Sequence, residues 1–284
     1  MKNTRTICIA GKNEIAIYGV KKIIKNYPET KIVCLCNKSD SGFDGWQPSL
    51  KKFAALNNLN EVSLTECQNI DDLIFISLEY DTIIKPKLFI AKSLFNIHFS
   101  KLPKYRGVYT SIFPLLHGQN ESGVTLHKID EGIDTGEIID QITFSIKEIK
   151  SSRELYLSYM EKAKFLIDKN LDNLIKENFT SWPQSTLDAS YFSRSSINLS
   201  FININFKKKA FEVTNQIRAY SFREYQLPVC FNYPVCEAKV TNSLSKLKAG
   251  TLLNDTKNFF IISTLDYDVK LIKDHSKIKK KFRK

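Results

Sequence analysis

The 284-residue sequence predicts an α/β protein built of two domains. In the first half, short apolar runs alternate with segments whose apolar residues recur at helical spacing. This pattern is typical of βαβ units in a doubly wound, mostly parallel sheet. From about residue 190 the pattern changes to short strand-like stretches around one helix, which predicts a smaller α+β domain. We therefore predict a Rossmann-like domain over residues 1–189 and a small C-terminal domain over residues 190–284.

The elements of the first domain follow in chain order. LIFISL is a continuous apolar run, as expected of a parallel strand that is buried on both faces. The Gly/Asp-rich segment DEGIDTG interrupts the pattern and is expected to be a loop between two strands. The predicted strands are TICIAG, KIVCLC, LIFISL, SLFNIHF, Val124–His127 and Ile138–Phe144, and the predicted helices are NEIAIYGVKKIIKN, SLKKFAAL, TSIFPLLHG and residues 150–178.

The second domain is assigned in the same way. Val213, Ile217 and Tyr220 recur at helical spacing, which predicts one amphipathic helix over AFEVTNQIRAYSF. The strand-like stretches either alternate or are rich in β-branched and aromatic residues. They are INLSFININ, CEAKVT, NFFIIST and YDVKLI.

The composition is that of an ordinary globular protein, with 43% hydrophobic and 25% charged residues. Every apolar run ends well short of the roughly 20 residues that a transmembrane helix needs. The N-terminal apolar stretch is too short for a signal peptide, so we expect a cytoplasmic protein with no membrane partner. The six cysteines lack the spacing of a zinc site, and we expect buried thiols in a reducing compartment and no metal.

The charge is strongly positive, at a formal value of +12. The last eight residues, KIKKKFRK, hold six basic side chains, equal to half of that excess. A terminal run of this kind is typical of a solvated chain end. The mildly basic remainder suits an anionic substrate or RNA and selects neither.

Two polar side chains stand at the predicted end of a strand, in FNIHFSKLPKYRG. Asn96 and His98 are two residues apart, so they point to one face, at the sheet edge where parallel strands bind ligands. Asp134 lies between Gly132 and Gly136, which permit tight turns and close backbone approach. An amide donor, an imidazole and a carboxylate suffice for acyl transfer to an amine without a covalent intermediate. Taken singly, the same residues also suit a turn cap, a structural histidine and a loop acid.

These segments resemble a known family. FNIHFSKLPKYRG is similar to the N-x-H…LP-x-x-R-G segment of N10-formyltetrahydrofolate-dependent formyltransferases. GVTLHKIDEGIDTGEIIDQ is similar to their G-V-T-x-H-x-x-D-x-G-x-D-x-G-x-I segment, and both the order and the spacing agree over roughly residues 5–180. The family includes methionyl-tRNA formyltransferase, glycinamide ribonucleotide formyltransferase and the sugar-nucleotide N-formyltransferases.

The resemblance implies the chemistry. A substrate amine would attack the formyl carbon of the co-substrate N10-formyltetrahydrofolate, while Asn96 and His98 stabilise the oxyanion. Asp134 would hold His98 and an ordered water and would help to carry the proton from the amine to the leaving nitrogen. The division of protons between His98 and Asp134 is left open. The residues at the family's folate-binding positions are Tyr80, Asp81, Ile84 and Asp130. Ile84 equally suits plain core packing.

A second group of residues is expected to bind the substrate. The turn before the first helix presents free N–H groups to a phosphate, as in the ribonucleotide-formylating relatives, although a plain turn with a solvated Lys12 is an alternative. The Arg106 guanidinium suits a diphosphate in bidentate geometry. Trp46 is either a platform for a base or a half-buried hinge aromatic. The candidate substrate-binding residues are Gly11, Lys12, Asn13, Trp46, Tyr105 and Arg106.

The sequence favours the sugar-nucleotide branch. The loop NKSDSGFDGWQPS holds one base and two acids, whereas the tRNA enzyme carries a basic insertion there. QIRAYSFREYQLP resembles the start of the C-terminal region of the larger relatives. We predict a homodimer that formylates a nucleotide-linked amino-dideoxy sugar, with dTDP as the carrier, for surface polysaccharide such as lipopolysaccharide O-antigen, and that binds no nucleic acid. Two alternatives stay open: a methionyl-tRNA formyltransferase, and a non-catalytic folate- or nucleotide-binding module.

Overall fold

The structure is a computed structural model that describes residues 5–276. The predicted basic tail, Lys277–Lys284, lies outside this range. The chain divides into two compact units, neither of them continuous in sequence, and the predicted boundary between residues 189 and 190 stays a prediction. Among the described residues, the first unit is formed by residues 5–107, Gly123–Thr143 and Tyr159–Tyr191, and the second by Val108–Ser122, Phe144–Ser158 and residues 192–276.

Strands and helices alternate through the first half and give way to strands in the second. The helices are α1 (Asn13–Asn26), α2 (Leu50–Leu56), α3 (Leu64–Gln68), α4 (Phe113–Leu116), α5 (Ser152–Ile175) and α6 (Ala210–Tyr220). The first nine strands are β1 (Thr6–Gly11), β2 (Lys31–Cys36), β3 (Asn60–Glu61), β4 (Leu73–Leu78), β5 (Ser93–His98), β6 (Arg106–Gly107), β7 (Glu121–Lys128), β8 (Ile138–Ser145) and β9 (Tyr191–Phe192). The remaining strands are β10 (Val229–Cys230), β11 (Tyr233–Leu244), β12 (Leu252–Asp255), β13 (Phe259–Ile262) and β14 (Tyr267–Lys273).

A seven-stranded sheet confirms the predicted α/β fold, in the order β3-β2-β1-β4-β5-β7-β8. The strands from β3 to β5 are parallel, and β7 runs antiparallel to β5. All six residues of β1 and of β4 are buried, as their continuous apolar sequences predict for central parallel strands. The carboxyl ends of β1, β2, β4 and β5 therefore meet at one edge of the sheet.

The turn from β1 into α1 depends on a glycine. A Cβ atom at Gly11 would overlap the Leu78 carbonyl of β4, so only glycine lets the two backbones approach this closely. The Lys12 N–H donates to that same carbonyl at 3.3 Å. Helix α1 begins at the next residue, Asn13, and its first N–H groups are therefore placed at the sheet edge.

The second unit contains a five-stranded antiparallel sheet in the order β10-β11-β14-β13-β12, with helix α6 packed on it. Val213 and Ile217 of α6 are fully buried in one apolar core with Phe260 and Leu271. The stretch INLSFININ was expected to be a strand and is irregular. Its partly buried Ile202 and buried Ile204 pack into this core, which accounts for the alternating pattern without a strand partner.

One lysine is buried in the second unit. The Lys273 side chain is 5% exposed, and its Nζ donates to Asp255 Oδ1 at 2.5 Å and to the Thr256 carbonyl at 2.6 Å. The same Nζ lies 4.0 Å from the Phe260 ring centroid and 4.7 Å from that of Tyr233. These five residues form the Lys273 cluster. No helix within residues 5–276 combines the length and the hydropathy of a membrane span.

Candidate active site

Two neighbouring strands of the first unit supply the polar side chains at the centre of the site. Asn96 and His98 lie on β5, and the antiparallel register places His127 of β7 directly opposite Asn96. Directly opposed residues of paired strands have Cβ atoms about 5 Å apart, which is close enough for their side chains to interact. His127 is 2% exposed and His98 is 8% exposed, so both imidazoles are held inside the protein.

The loop between β7 and β8 supplies a carboxylate. A Cβ atom at Gly136 would overlap the Lys128 carbonyl, so the loop closes tightly at its base. Asp130 accepts hydrogen bonds from the Gly132 N–H at 3.1 Å and from the Thr135 hydroxyl at 2.6 Å. Asp134, at the loop tip, has a φ of 54°, a left-handed conformation that aspartate tolerates better than most residues. The loop thereby holds the Asp134 carboxylate beside β5 and β7.

Four side chains converge and form what we call the Asp134 cluster: Asn96, His98, His127 and Asp134. Asp134 Oδ2 lies 3.5 Å from His98 Nδ1, and Asp134 Oδ1 lies 3.6 Å from His127 Nε2. The Asn96 amide nitrogen donates to Asp134 Oδ1 at 3.3 Å and lies 3.1 Å from His127 Nε2. The carboxylate is therefore flanked by one imidazole on each oxygen.

The Asp134 carboxyl is kept ionised although only 12% of its side chain is exposed. Burial by itself would raise its pKa. The neighbouring imidazoles of His98 and His127 and a 2.8 Å hydrogen bond from the Gly107 N–H outweigh burial. The pKa of Asp134 consequently lies well below its usual range, and the group is an anion at neutral pH.

Backbone carbonyls fix the outer nitrogen of each imidazole. His98 Nε2 lies 2.8 Å from the Tyr105 carbonyl, and His127 Nδ1 lies 2.7 Å from the Lys128 carbonyl. Because a carbonyl only accepts hydrogen bonds, each of these nitrogens must carry a hydrogen. The nitrogens that face Asp134 are then free to take up or release a proton, which is the property that proton transfer requires.

A segment that follows α5 braces the site from outside. The Gln184 amide nitrogen donates to the carbonyls of Asp134 and Gly136 at 2.9 and 2.8 Å, and its oxygen accepts from the Arg106 guanidinium at 2.8 and 3.2 Å. The Ser190 hydroxyl accepts from the Tyr105 N–H at 2.8 Å. One segment thus holds both the Asp134 loop and the turn whose carbonyl orients His98.

The predicted folate-binding residues lie in three different settings. Ile84 is 9% exposed and belongs to the core beside the sheet, and Tyr80 packs against that core. Burial raises the pKa of Tyr80. Asp81 is exposed, and Asp130 shapes the Asp134 loop through the bonds described above. Binding of folate by these four residues stays a prediction.

The predicted substrate-binding residues form two groups. Gly11, Lys12 and Asn13 lie at the start of α1, where Asn13 Nδ2 donates to Glu79 at 3.1 Å, and Trp46 is half-buried in the loop before α2. Tyr105 and Arg106 lie instead in the turn beside the Asp134 cluster. The Tyr105 ring is 6% exposed, and burial raises its pKa to about 12. Tyr105 therefore serves the site through its main-chain carbonyl.

The sequence analysis placed His127 at the end of a predicted strand and gave it no part in the site. The structure brings it into contact with both Asn96 and Asp134. The only available signal was its place within the G-V-T-x-H segment. Gln184 and Ser190 carried no signal at all, because they lie 50 and 85 residues along the chain from the atoms that they bond.

Within residues 5–276 no group of three or more His, Cys, Asp or Glu side chains is arranged so that it could hold a metal ion. The arrangement that the structure does provide is an ionised carboxylate between two imidazoles and an amide. Such groups can take a proton from an attacking nucleophile and return it to a leaving group.

Comparisons with known proteins extend this description. A family described as formyl transferase matches residues 50–169. The chain is similar to WlaRD, a sugar 3N-formyl transferase crystallised in the presence of dTDP and 5-N-formyl-THF, at 45% identity over 97% of this chain and 100% of that chain, with a TM-score of 0.90. It is also similar to the N-formyltransferase from Helicobacter canadensis in complex with folinic acid and dTDP-3-aminofucose, at 41% identity over 95% and 100% of the two chains, with a TM-score of 0.88. The methionyl-tRNA formyltransferase of Fervidobacterium nodosum is 29% identical over 73% of this chain and 67% of that protein.

Proposed function

This chain belongs to the formyltransferase family, and we propose that it transfers the formyl group of N10-formyltetrahydrofolate to the amine of a dTDP-linked amino-dideoxy sugar. The observation that carries the chemistry is the Asp134 cluster. The observation that carries the substrate class is full-length similarity, above 40% identity, to proteins crystallised with dTDP or a dTDP-amino sugar.

In the proposed reaction, bound N10-formyltetrahydrofolate supplies the formyl carbon that the sugar amine attacks. Asn96 and His98 are the groups that would stabilise the negative charge that develops on the formyl oxygen. Asp134, ionised between two imidazoles, receives the proton that the amine must lose and passes it on toward the leaving nitrogen. This assigns catalysis to Asn96, His98 and Asp134.

The proposed contacts with the two substrates follow the sequence predictions. Tyr80, Asp81, Ile84 and Asp130 would line the folate side, where the part-buried Tyr80 ring offers an apolar surface for a planar pterin. The Arg106 guanidinium donates to the Gln184 side-chain oxygen, and these bonds hold it in place to meet an anionic sugar nucleotide. The N–H groups at the start of α1 offer a second anion site.

The loop before α2 bears on the choice against tRNA. Asp40 accepts from the Ser49 hydroxyl at 2.6 Å and from the Lys51 N–H at 3.1 Å, and Asp44 pairs with Lys52. Asp40 therefore shapes the loop, and Asp44 neutralises Lys52 of α2. A loop of this kind offers few unpaired cations to a nucleic-acid backbone, whose binding depends on Lys and Arg contacts to phosphate.

The test is a side-by-side assay with N10-formyltetrahydrofolate, a panel of dTDP-amino sugars and charged initiator tRNA at moderate salt. We expect formylation of at least one sugar and none of the tRNA. Formylation of the tRNA alone would replace the proposed substrate with that of the methionyl-tRNA branch. A protein that binds folate or dTDP and formylates nothing would be the non-catalytic binding module.

Three further proposals rest on the resemblance. The formylated sugar would enter surface polysaccharide such as lipopolysaccharide O-antigen, and the protein would act as a homodimer. It would act in the cytoplasm, in keeping with six cysteines that are all free thiols. Sedimentation analysis of the full chain tests the dimer directly.

A further inference from the structure

His127 raises a question about hydrogen bonds that the proposed function leaves open. Its Nδ1 carries a hydrogen, because the only partner of that nitrogen within residues 5–276 is the Lys128 carbonyl at 2.7 Å. In the neutral ring Nε2 is then a bare lone pair. The nearest donor to that lone pair is the Asn96 amide nitrogen at 3.1 Å. Neutral His127 therefore accepts a hydrogen bond from Asn96.

Both N–H bonds of the Asn96 amide are consequently engaged in hydrogen bonds. Its nitrogen has two hydrogens, and the two acceptors are His127 Nε2 and Asp134 Oδ1 at 3.3 Å. The opposite orientation would place the amide oxygen against an ionised carboxylate, which is repulsive. In this state Asn96 has no N–H left to donate to an oxyanion, although the proposed chemistry requires one.

Protonation of His127 changes the number of Asn96 N–H groups that are engaged. A proton on Nε2 turns that nitrogen from an acceptor into a donor, and it then faces Asp134 Oδ1 at 3.6 Å. The bond from Asn96 to His127 can no longer exist, so one Asn96 N–H is released. Asp134 and His98, whose ring centroid is 6.5 Å away, are the titratable groups that face His127, and the neighbouring Lys128 ammonium is paired with Glu137.

Building on the proposed function, we propose that His127 is a positioning residue that couples proton uptake to oxyanion stabilisation through Asn96. As the amine attacks, its N–H bond breaks and the proton passes by way of Asp134 to His127 Nε2. The same event frees an Asn96 N–H for the negative formyl oxygen. When the bond to the leaving nitrogen breaks, the proton returns through Asp134 to that nitrogen, and His127 is neutral again.

His127→Gln tests this coupling, since a glutamine oxygen can accept from Asn96 but cannot take up the proton. We expect kcat to fall roughly 10²-fold, as for the loss of one oxyanion donor, with both KM values within about 2-fold of the parent. In an Asn96→Ala background the same substitution should cost clearly less than in the parent, because only the loss of proton uptake remains and no Asn96 N–H is left to be released. His275→Gln, at an exposed site, is the matched control and should leave kcat unchanged.

The double-mutant cycle and a spectroscopic measurement decide the outcome. A loss of equal size in both backgrounds, or no loss in the parent, would overturn the coupling. Imidazole ¹⁵N NMR of the unliganded protein is tractable because the chain has four histidines, which single substitutions assign. We expect the Nδ1 of His127 to carry a hydrogen and its Nε2 to be bare, and a hydrogen on Nε2 in the unliganded protein would also overturn the coupling. The NMR result needs no substrate, so it stands even if the proposed sugar substrate is wrong.

Discussion

Each unit of the protein contains an ionic cluster around a buried charge, the Asp134 cluster and the Lys273 cluster, and these two differ in what surrounds the charge. In the second unit the Lys273 ammonium contacts an aspartate, a carbonyl and two aromatic rings, and none of these partners is an imidazole. In the first unit the Asp134 carboxylate faces two imidazoles whose outer nitrogens are already bound to carbonyls. Burial of a charge therefore does not by itself indicate a reactive site. The distinguishing feature is a partner that can gain or lose a proton at the contact.

The comparison is tested most strongly at Asp134. Asp134→Asn keeps the shape of the side chain and an acceptor for the Gly107 N–H, but removes the anion between the imidazoles. We expect turnover to fall about 10²- to 10⁴-fold, the usual cost of losing a proton-transfer group, and the same for His98→Ala. Single-turnover formylation measures the loss, and far-UV circular dichroism controls for folding. Near-normal turnover in a folded variant would remove Asp134 from the mechanism.

The Asp134→Asn variant also tests how much the Asp134 cluster contributes to the loss of stability in acid. Because the pKa of Asp134 is depressed in the folded state, its stabilisation is complete above the unfolded pKa of about 3.9 and is lost as the pH falls toward the folded pKa. We expect the free energy of unfolding of the parent to drop more than that of Asp134→Asn between pH 5 and pH 2. Parallel curves in urea titrations at each pH would contradict this.

The Lys273 cluster should respond through stability alone. Asp255→Ala removes a side chain that is 55% exposed yet leaves the buried Lys273 ammonium without its counter-ion, and we expect a loss of about 3 kcal/mol. Lys273→Met removes the buried charge itself and should cost only about 1–2 kcal/mol, mainly from the Thr256 carbonyl left without a donor. Denaturant unfolding gives both values. The reverse order would mean that Lys273 reaches water once Asp255 is gone.

We expect an intermediate effect at Gln184, because its side chain contacts the Asp134 cluster only at a main-chain carbonyl. Gln184→Ala removes two hydrogen bonds to the Asp134 loop and the partner of Arg106, so we expect kcat to fall roughly 10-fold through misplacement of the carboxylate. Gln184→Glu keeps a partner for Arg106 and loses the amide donors. Equal loss in both variants assigns the effect to the loop, and loss in Gln184→Ala alone assigns it to Arg106.

The smallest effect is expected at the chain end, which belongs to neither cluster. Deletion of Lys277–Lys284 should change kcat and the KM for the sugar nucleotide less than about 2-fold, because the run is terminal and has a single aromatic residue. Steady-state kinetics at low and moderate salt measure it. A large rise in that KM would show that the tail contributes to substrate binding.

Where the sequence predicted structure well, the information was local. LIFISL is apolar apart from Ser77 and is a central strand, and NEIAIYGVKKIIKN was predicted as a helix and is α1. The two-residue strands β3 and β10 were missed because they are too short to show a period. All four residues of the strand β12 are exposed, so its sequence shows no alternation between buried and exposed positions.

In the candidate site, too, local sequence patterns predicted some residues and missed others. Asn96 and His98 could be placed together because i and i+2 on a strand share a face, and Asp134 because glycines flank it. The contact of His127 with Asn96 depends on the register between β5 and β7, which no local pattern fixes. Gln184 lies in an irregular segment, and such a segment has no sequence periodicity from which its position could be predicted.

The brace formed by Gln184 and Ser190 has a consequence for the growing chain. A nascent polypeptide that ends before residue 182 already contains Asn96, His98, His127 and Asp134, yet lacks every bond that this segment makes to the turn and the loop. The side chains of the site are thus synthesised early and oriented late. During translation the brace can be added only after residue 190 has left the ribosome, when the C-terminal sheet is still to be made.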